Sequence, residues 1–143
     1  MANPMYGLNK KDDAIDLVSA GKKLDVVTVT SSITLSEADS GKVYLIGTDA
    51  LTITLPATVK GVYYTFINIG ADGNNIITIS PQSADAIWGT ITLAGSVVDL
   101  SGTDDKDLIN TKGTAIKGDS VTLVSDGTDW FVTASTGIWA AES

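Results

Sequence analysis

Cysteine, histidine and arginine are all missing from this 143-residue chain. Without cysteine there are no disulfides, no thiolate nucleophile and no zinc site built on sulfur. Without histidine the chain lacks the usual general base near neutral pH and the commonest ligand of transition metals. All nine basic residues are lysine, against 15 Asp and two Glu, and the net charge is -8. A surface of that sign repels a phosphate backbone, so nucleic acid is not expected as a partner. Charge is also sparse, at 18% of residues against the roughly 25% of an average soluble domain. No stretch approaches the ~18 apolar residues of a membrane span, and the first seven residues lack an apolar run of signal-peptide length. The expectation is a chain that stays soluble and has no membrane partner.

What is abundant is threonine, with 18 residues, and glycine, with 14. Thr, Val and Ile suit the pleated surface of a strand, while Gly and Asp at intervals supply turns. A chain of this length can remove about two-thirds of its surface from water in one core without staples. The composition therefore predicts an all-β domain.

The pattern along the chain carries this further. In residues 25–35, Val27, Val29, Ile33 and Leu35 share one parity and Thr28, Thr30, Ser32 and Thr34 the other, which reads as a strand with one wet face. Leu51-Thr52-Ile53-Thr54-Leu55 repeats the alternation and stops at Pro56, which cannot donate to a ladder. Residues 43–46 and 62–69 are nearly continuous apolar runs and read as strands covered on both faces. Further strands are expected over 75–80, 86–93, 96–100, 114–117, 120–125 and 130–134. Their spacing of about ten residues is typical of sandwiches and barrels. Asp126-Gly127-Thr128-Asp129 is the strongest turn signal, because Asp and Gly accept positive φ cheaply. The fold expected is an antiparallel β-sandwich, jelly-roll-like, over residues 25–143, preceded by an arm or short helix over 1–24. Helical spacing of Ala14, Ile15, Leu17 and Val18 ahead of Gly21 supports the helix. The echoes between Ile-Thr-Leu and Leu-Thr-Ile-Thr-Leu read as strand patterning rather than duplication.

Few residues suggest chemistry. With 15 aspartates, a carboxylate pair at glycosidase spacing arises by chance. Asp104, Asp105 and Asp107, with Asn110, offer oxygens to calcium, but the glycine and closing acid of an EF-hand loop are absent. Asp72-Gly73-Asn74-Asn75 reads as a turn first. No glycine-rich phosphate loop occurs, and a Ser or Thr nucleophile would lack a histidine base. The expectation is a protein that is not an enzyme and has no cofactor and no metal site. Among the aromatic residues, Tyr44, Tyr64, Phe66 and the Trp130-Phe131-Val132 run read as packing. A sugar platform is the other reading of the set Trp88, Trp130, Trp139, Tyr6, Tyr44, Tyr63 and Tyr64, with packing the stronger one for most of them, and Trp139 either folds back or meets a neighbouring subunit.

The run Ile33-Thr34-Leu35-Ser36-Glu37-Ala38-Asp39-Ser40-Gly41-Lys42-Val43-Tyr44-Leu45-Ile46 is followed by Leu51-Thr52-Ile53-Thr54-Leu55-Pro56 and then Gly61-Val62-Tyr63-Tyr64-Thr65-Phe66-Ile67-Asn68. This succession resembles a module recurrent in small structural proteins of tailed bacteriophages. Ile87-Trp88-Gly89 and residues 118–132 are similar to the end of that module. The resemblance implies a virion protein on the outer capsid surface, a capsid decoration (cement) protein, with a β-rich module of a head or tail fibre binding receptor or glycan as the alternative. It implies as partners the major capsid protein and the chain itself, as a homotrimer. It carries over no catalytic residue. Pro4, Met5, Tyr6 and Leu8 place apolar groups in a stretch too short to bury them alone, which makes them the candidate capsid contacts.

Overall fold

The computed structural model describes residues 23–93 and 95–143. Two mixed sheets face each other across one core. The chain begins by alternating between them. Strands β1 (Val26–Val29), β3 (Val43–Ile46) and β5 (Tyr63–Asn68) lie side by side in the first sheet, and β2 (Ile33–Thr34), β4 (Leu51–Thr54) and β6 (Ile77–Ser80) lie side by side in the second. All pairs within these two triplets are parallel. Residues 26–80 thus form three stacked turns of a two-sided coil.

The later strands close this coil from the far side. β10 (Leu108–Asn110) runs antiparallel to β6, and β13 (Ala140–Ala141) antiparallel to β10, in the second sheet. β11 (Ser120–Ser125) runs antiparallel to β5, and β12 (Trp130–Thr136) to β11, in the first; β7 (Ile87–Trp88) completes that sheet beside β12. β8 (Thr90–Leu93) and β9 (Ser96–Asp99) make a separate hairpin.

The β-sandwich is as expected from composition and spacing. Its antiparallel, jelly-roll-like wiring is corrected: among the described residues five of the ten strand pairings are parallel. A ten-residue spacing is the same whether a segment folds back on its own sheet or crosses to the opposite one. Here the first five connections cross. Residues 25–35 show why. They form two strands rather than one, divided by a bend at Ser31, and the shared parity of Val29 and Leu35 survives because both sheets bury the residues that face the middle.

The sequence echoes are neighbours in space. Ile33, Ile53 and Ile79 stand in register on β2, β4 and β6, with Thr34, Thr54 and Ser80 beside them on the outer face. Each apolar residue drops into the core and each hydroxyl stays outside. Leu35 and Leu55 continue the inner column, each donating its N–H to the next turn, to Thr54 and Ser80.

Opposite them, Tyr44, Tyr64, Phe66 and Trp130 form the aromatic centre of the core, with ring centroids 5.7–6.3 Å apart. The Tyr64 hydroxyl reaches the edge of the core and donates to the Ser36 carbonyl at 2.6 Å. Burial first, and then Asp39 and Glu37, push its pKa up to about 12.

Three local expectations are also revised. Residues 43–46 and 62–69 alternate buried and half-exposed instead of being covered on both faces. The expected strand over 114–117 is a turn, and β10, which was not expected, forms a few residues earlier beside β6. Residues 86–93 split into β7 and β8 at Gly89, where φ is 124° and a Cβ would crowd Val132. The turn at Asp126 forms as read: its carboxylate accepts the N–H groups of Thr128 and Asp129, and Gly127 takes a φ of 100°.

Candidate interaction surface

Side chains alternate across a strand, so the register of the first sheet fixes which residues look away from the core. They fall into three ranks. The first is Tyr63, Val124, Phe131 and Trp88. The second is Val26, Val43, Thr65, Thr122 and Ala134. The third is Thr28, Leu45, Ile67, Ser120 and Thr136. None of these residues is charged, in a chain with 26 charged residues.

The hydroxyls of this face are largely used within it. Thr65 Oγ1 and Thr122 Oγ1 lie 2.9 Å apart, and Ser120 Oγ and Thr136 Oγ1 3.0 Å apart. Hydroxyls already paired with one another cost less to remove from water than free ones. The face is therefore drier than its threonine content suggests. Its apolar members are open: Val26 is 49% exposed, Tyr63 47% and Trp88 39%.

Two aromatic side chains at opposite ends are held in place. The indole N–H of Trp88 donates to Asp129 Oδ2 at 3.0 Å, while Asp129 Oδ1 accepts the Ala86 N–H at 2.9 Å. Beneath the ring lies Gly102, where a Cβ would come within 2.0 Å of the indole carbons. Only glycine allows this contact. At the other end the Tyr63 ring lies over Gly41, whose N–H donates to the Tyr63 carbonyl at 2.8 Å, and Ser40 Oγ accepts the Tyr63 N–H. Tyr63 also walls a cleft of about 460 Å³ shared with Leu24, Asp25 and Lys42. Lys42 pairs there with Asp39 at 3.0 Å and Asp25 at 3.8 Å. The Ser36 N–H and the Lys42 ammonium hold the Asp39 carboxyl below its ordinary range.

The acidic candidates do not converge. Asp104 bridges to Ala86 and so stands near Asp85, whereas Asp107 takes Glu142 as its neighbour. Asn110 turns into the core, donating to Asp119 at 2.9 Å and accepting from Asn68 at 2.7 Å. Among the described residues no three His, Cys, Asp or Glu side chains are grouped to hold a metal ion. Asp85 is buried, and its Oδ2 has no hydrogen-bond partner. Burial, followed by Asp129 and Asp104, raises its pKa. Asp72 works as a turn residue, accepting the Lys117 N–H at 2.9 Å, and Asn75 is buried against Asn68.

Trp139 folds back into the core, its indole donating to the Thr136 carbonyl at 3.0 Å. Trp130 packs as expected, but Phe131 does not: it lies half-buried on the outer face beside Trp88. An all-apolar Trp-Phe-Val run conceals which member points inward. Pro4, Met5, Tyr6 and Leu8, and the helix read over residues 9–21, lie outside the described residues.

Comparison with protein-family models and with curated proteins finds no match to this chain.

Proposed function

We propose that the chain is a bacteriophage capsid decoration (cement) protein that binds the outer surface of the assembled head and stabilises it, without catalysis. The observation that carries this reading is that the segments resembling the phage module, residues 33–68 and 118–132, supply β2 to β5, β11 and β12, which include all four inner strands of the six-stranded sheet. A broad uncharged face and scattered acids suit protein contact better than chemistry on a small substrate. In this reading the chain is a homotrimer on the major capsid protein, and repetition on a lattice lets each copy be held by a modest interface. Pro4, Met5, Tyr6 and Leu8, in the arm over residues 1–24, make the shell contact. Lys10 and Lys11 stand beside Asp12 and Asp13, so attachment weakens only mildly with salt.

The test is co-sedimentation of the purified chain with shells of its own major capsid protein. The full chain pellets with shells, and a chain lacking residues 1–8 stays in the supernatant while keeping its oligomeric mass. Unchanged pelleting of the truncated chain would move the contact onto the sandwich. The exposed Trp88 and Tyr63 favour a second reading, a receptor- or glycan-binding module of a head or tail fibre. Binding to a glycan array without binding to shells would select it.

A further inference from the structure

We infer that the outward face of the six-stranded sheet is the surface through which copies of this chain associate with one another. The inference takes its occupant from the homotrimer proposed above and assigns that contact to a particular face.

Charge is the first argument. Each chain carries a net charge of -8, so two copies repel through any approach that brings acids together. The three ranks from Tyr63 to Trp88, Val26 to Ala134 and Thr28 to Thr136 contain no charge, and copies meet there at least electrostatic cost. A basic partner or a nucleic acid would find no countercharge on this face.

Desolvation and size agree with this. The paired hydroxyls Thr65–Thr122 and Ser120–Thr136 leave few polar groups to strip of water. Six strands about 4.8 Å apart and roughly 17 Å of strand length give a face on the order of 400 Å² in projection. That is the scale of the dry centre of an interface burying about 800 Å² per partner, with flanking loops as its rim. Trp88, fixed by Asp129 and Gly102, and Tyr63, backed by Gly41, are exposed aromatic anchors that lose little freedom on contact.

The test introduces a cation into this face. Val26→Lys and Thr122→Lys each lower the net negative charge, so repulsion between whole chains falls, yet each buries a charge if the face is an interface. Light scattering is expected to give the wild-type chain a mass that is a multiple of 14.8 kDa. The two variants should self-associate about tenfold more weakly or worse, with an unchanged far-UV circular dichroism spectrum. Thr54→Lys, on the outside of the other sheet, should keep the wild-type mass. Because Trp130 and Trp139 are fully buried, acrylamide quenching reports mainly on Trp88 and should be weaker in the wild type than in the dissociated lysine variants. A wild-type chain that is monomeric throughout, lysine variants that keep its mass, or quenching that is equal in the wild type and the variants would each overturn the inference. Shell co-sedimentation separates the two proposals. Wild-type oligomers that lose mass in the lysine variants but never pellet with shells would sustain this surface and sink the decoration reading.

Discussion

Asn68, Asn75, Asn110 and Asp119 close one end of the sandwich with a chain of buried hydrogen bonds. Asn68 also accepts the Gly70 N–H at 2.8 Å, and Asn110 donates to the Ile138 carbonyl at 3.0 Å. Every member depends on its neighbours for partners, so removing one strands several buried polar atoms. Asn110→Ala is therefore expected to cost about 2–4 kcal/mol in urea unfolding, more than its lost volume alone. Asp85 behaves oppositely. Its carboxyl is held above the ordinary range by burial and by Asp129 and Asp104. A raised carboxylate pKa means that the unfolded chain releases this proton at lower pH than the folded one, so the group costs stability above its ordinary pKa and costs nothing in acid. Asp85→Asn is accordingly expected to raise the urea midpoint at about pH 7, with the gain vanishing as the pH falls towards about 3. A gain that persists unchanged in acid would show that charge is not its cause.

Among the elements, the stacked turns β1–β2, β3–β4 and β5–β6 repeat one short pattern, and the middle turn is the most enclosed. Ile53 is fully buried between Ile33 and Ile79, so Ile53→Ala is expected to cost about 2–5 kcal/mol and to unfold the domain as one cooperative unit. Gly102 makes a second test. An alanine there cannot coexist with the indole of Trp88, and the expected result is a displaced ring with altered fluorescence rather than global unfolding. A spectrum identical to wild type would mean that the ring does not rest on this glycine. Most of the strands were legible because Thr alternates with Ile, Leu and Val, and the Asp126 turn because its hydrogen bonds are local, whereas the three residues of β10 are too few to show a period. Their neighbours were not. Alternation reveals that Ile33 and Ile53 point inward, but the parallel register between them depends on where residues 36–50 carry the chain. The candidate surface was hidden for the same reason, since its ranks combine β1, β3, β5, β11, β12 and β7, drawn from across the sequence. Its lack of charge was present in the sequence only as scattered uncharged strands.

The whole molecule is a mixed β-sandwich that carries one uncharged face on an acidic body. The chain has no Cys or His, and Asp104, Asp107 and Asn110 serve different neighbours. Chelator treatment is expected to leave the melting temperature unchanged, and a fall of many degrees would reveal a structural cation near Asp104, Asp105 and Asp107. The proposed role makes a stronger demand, because a protein that cements a shell must bind the assembled lattice better than its dissociated subunits and so shift the equilibrium towards the shell. Calorimetry of purified shells, titrated with the full-length chain, measures this directly. The disruption temperature is expected to rise with added protein and then saturate; a disruption temperature unmoved at every ratio would rule out the cementing role.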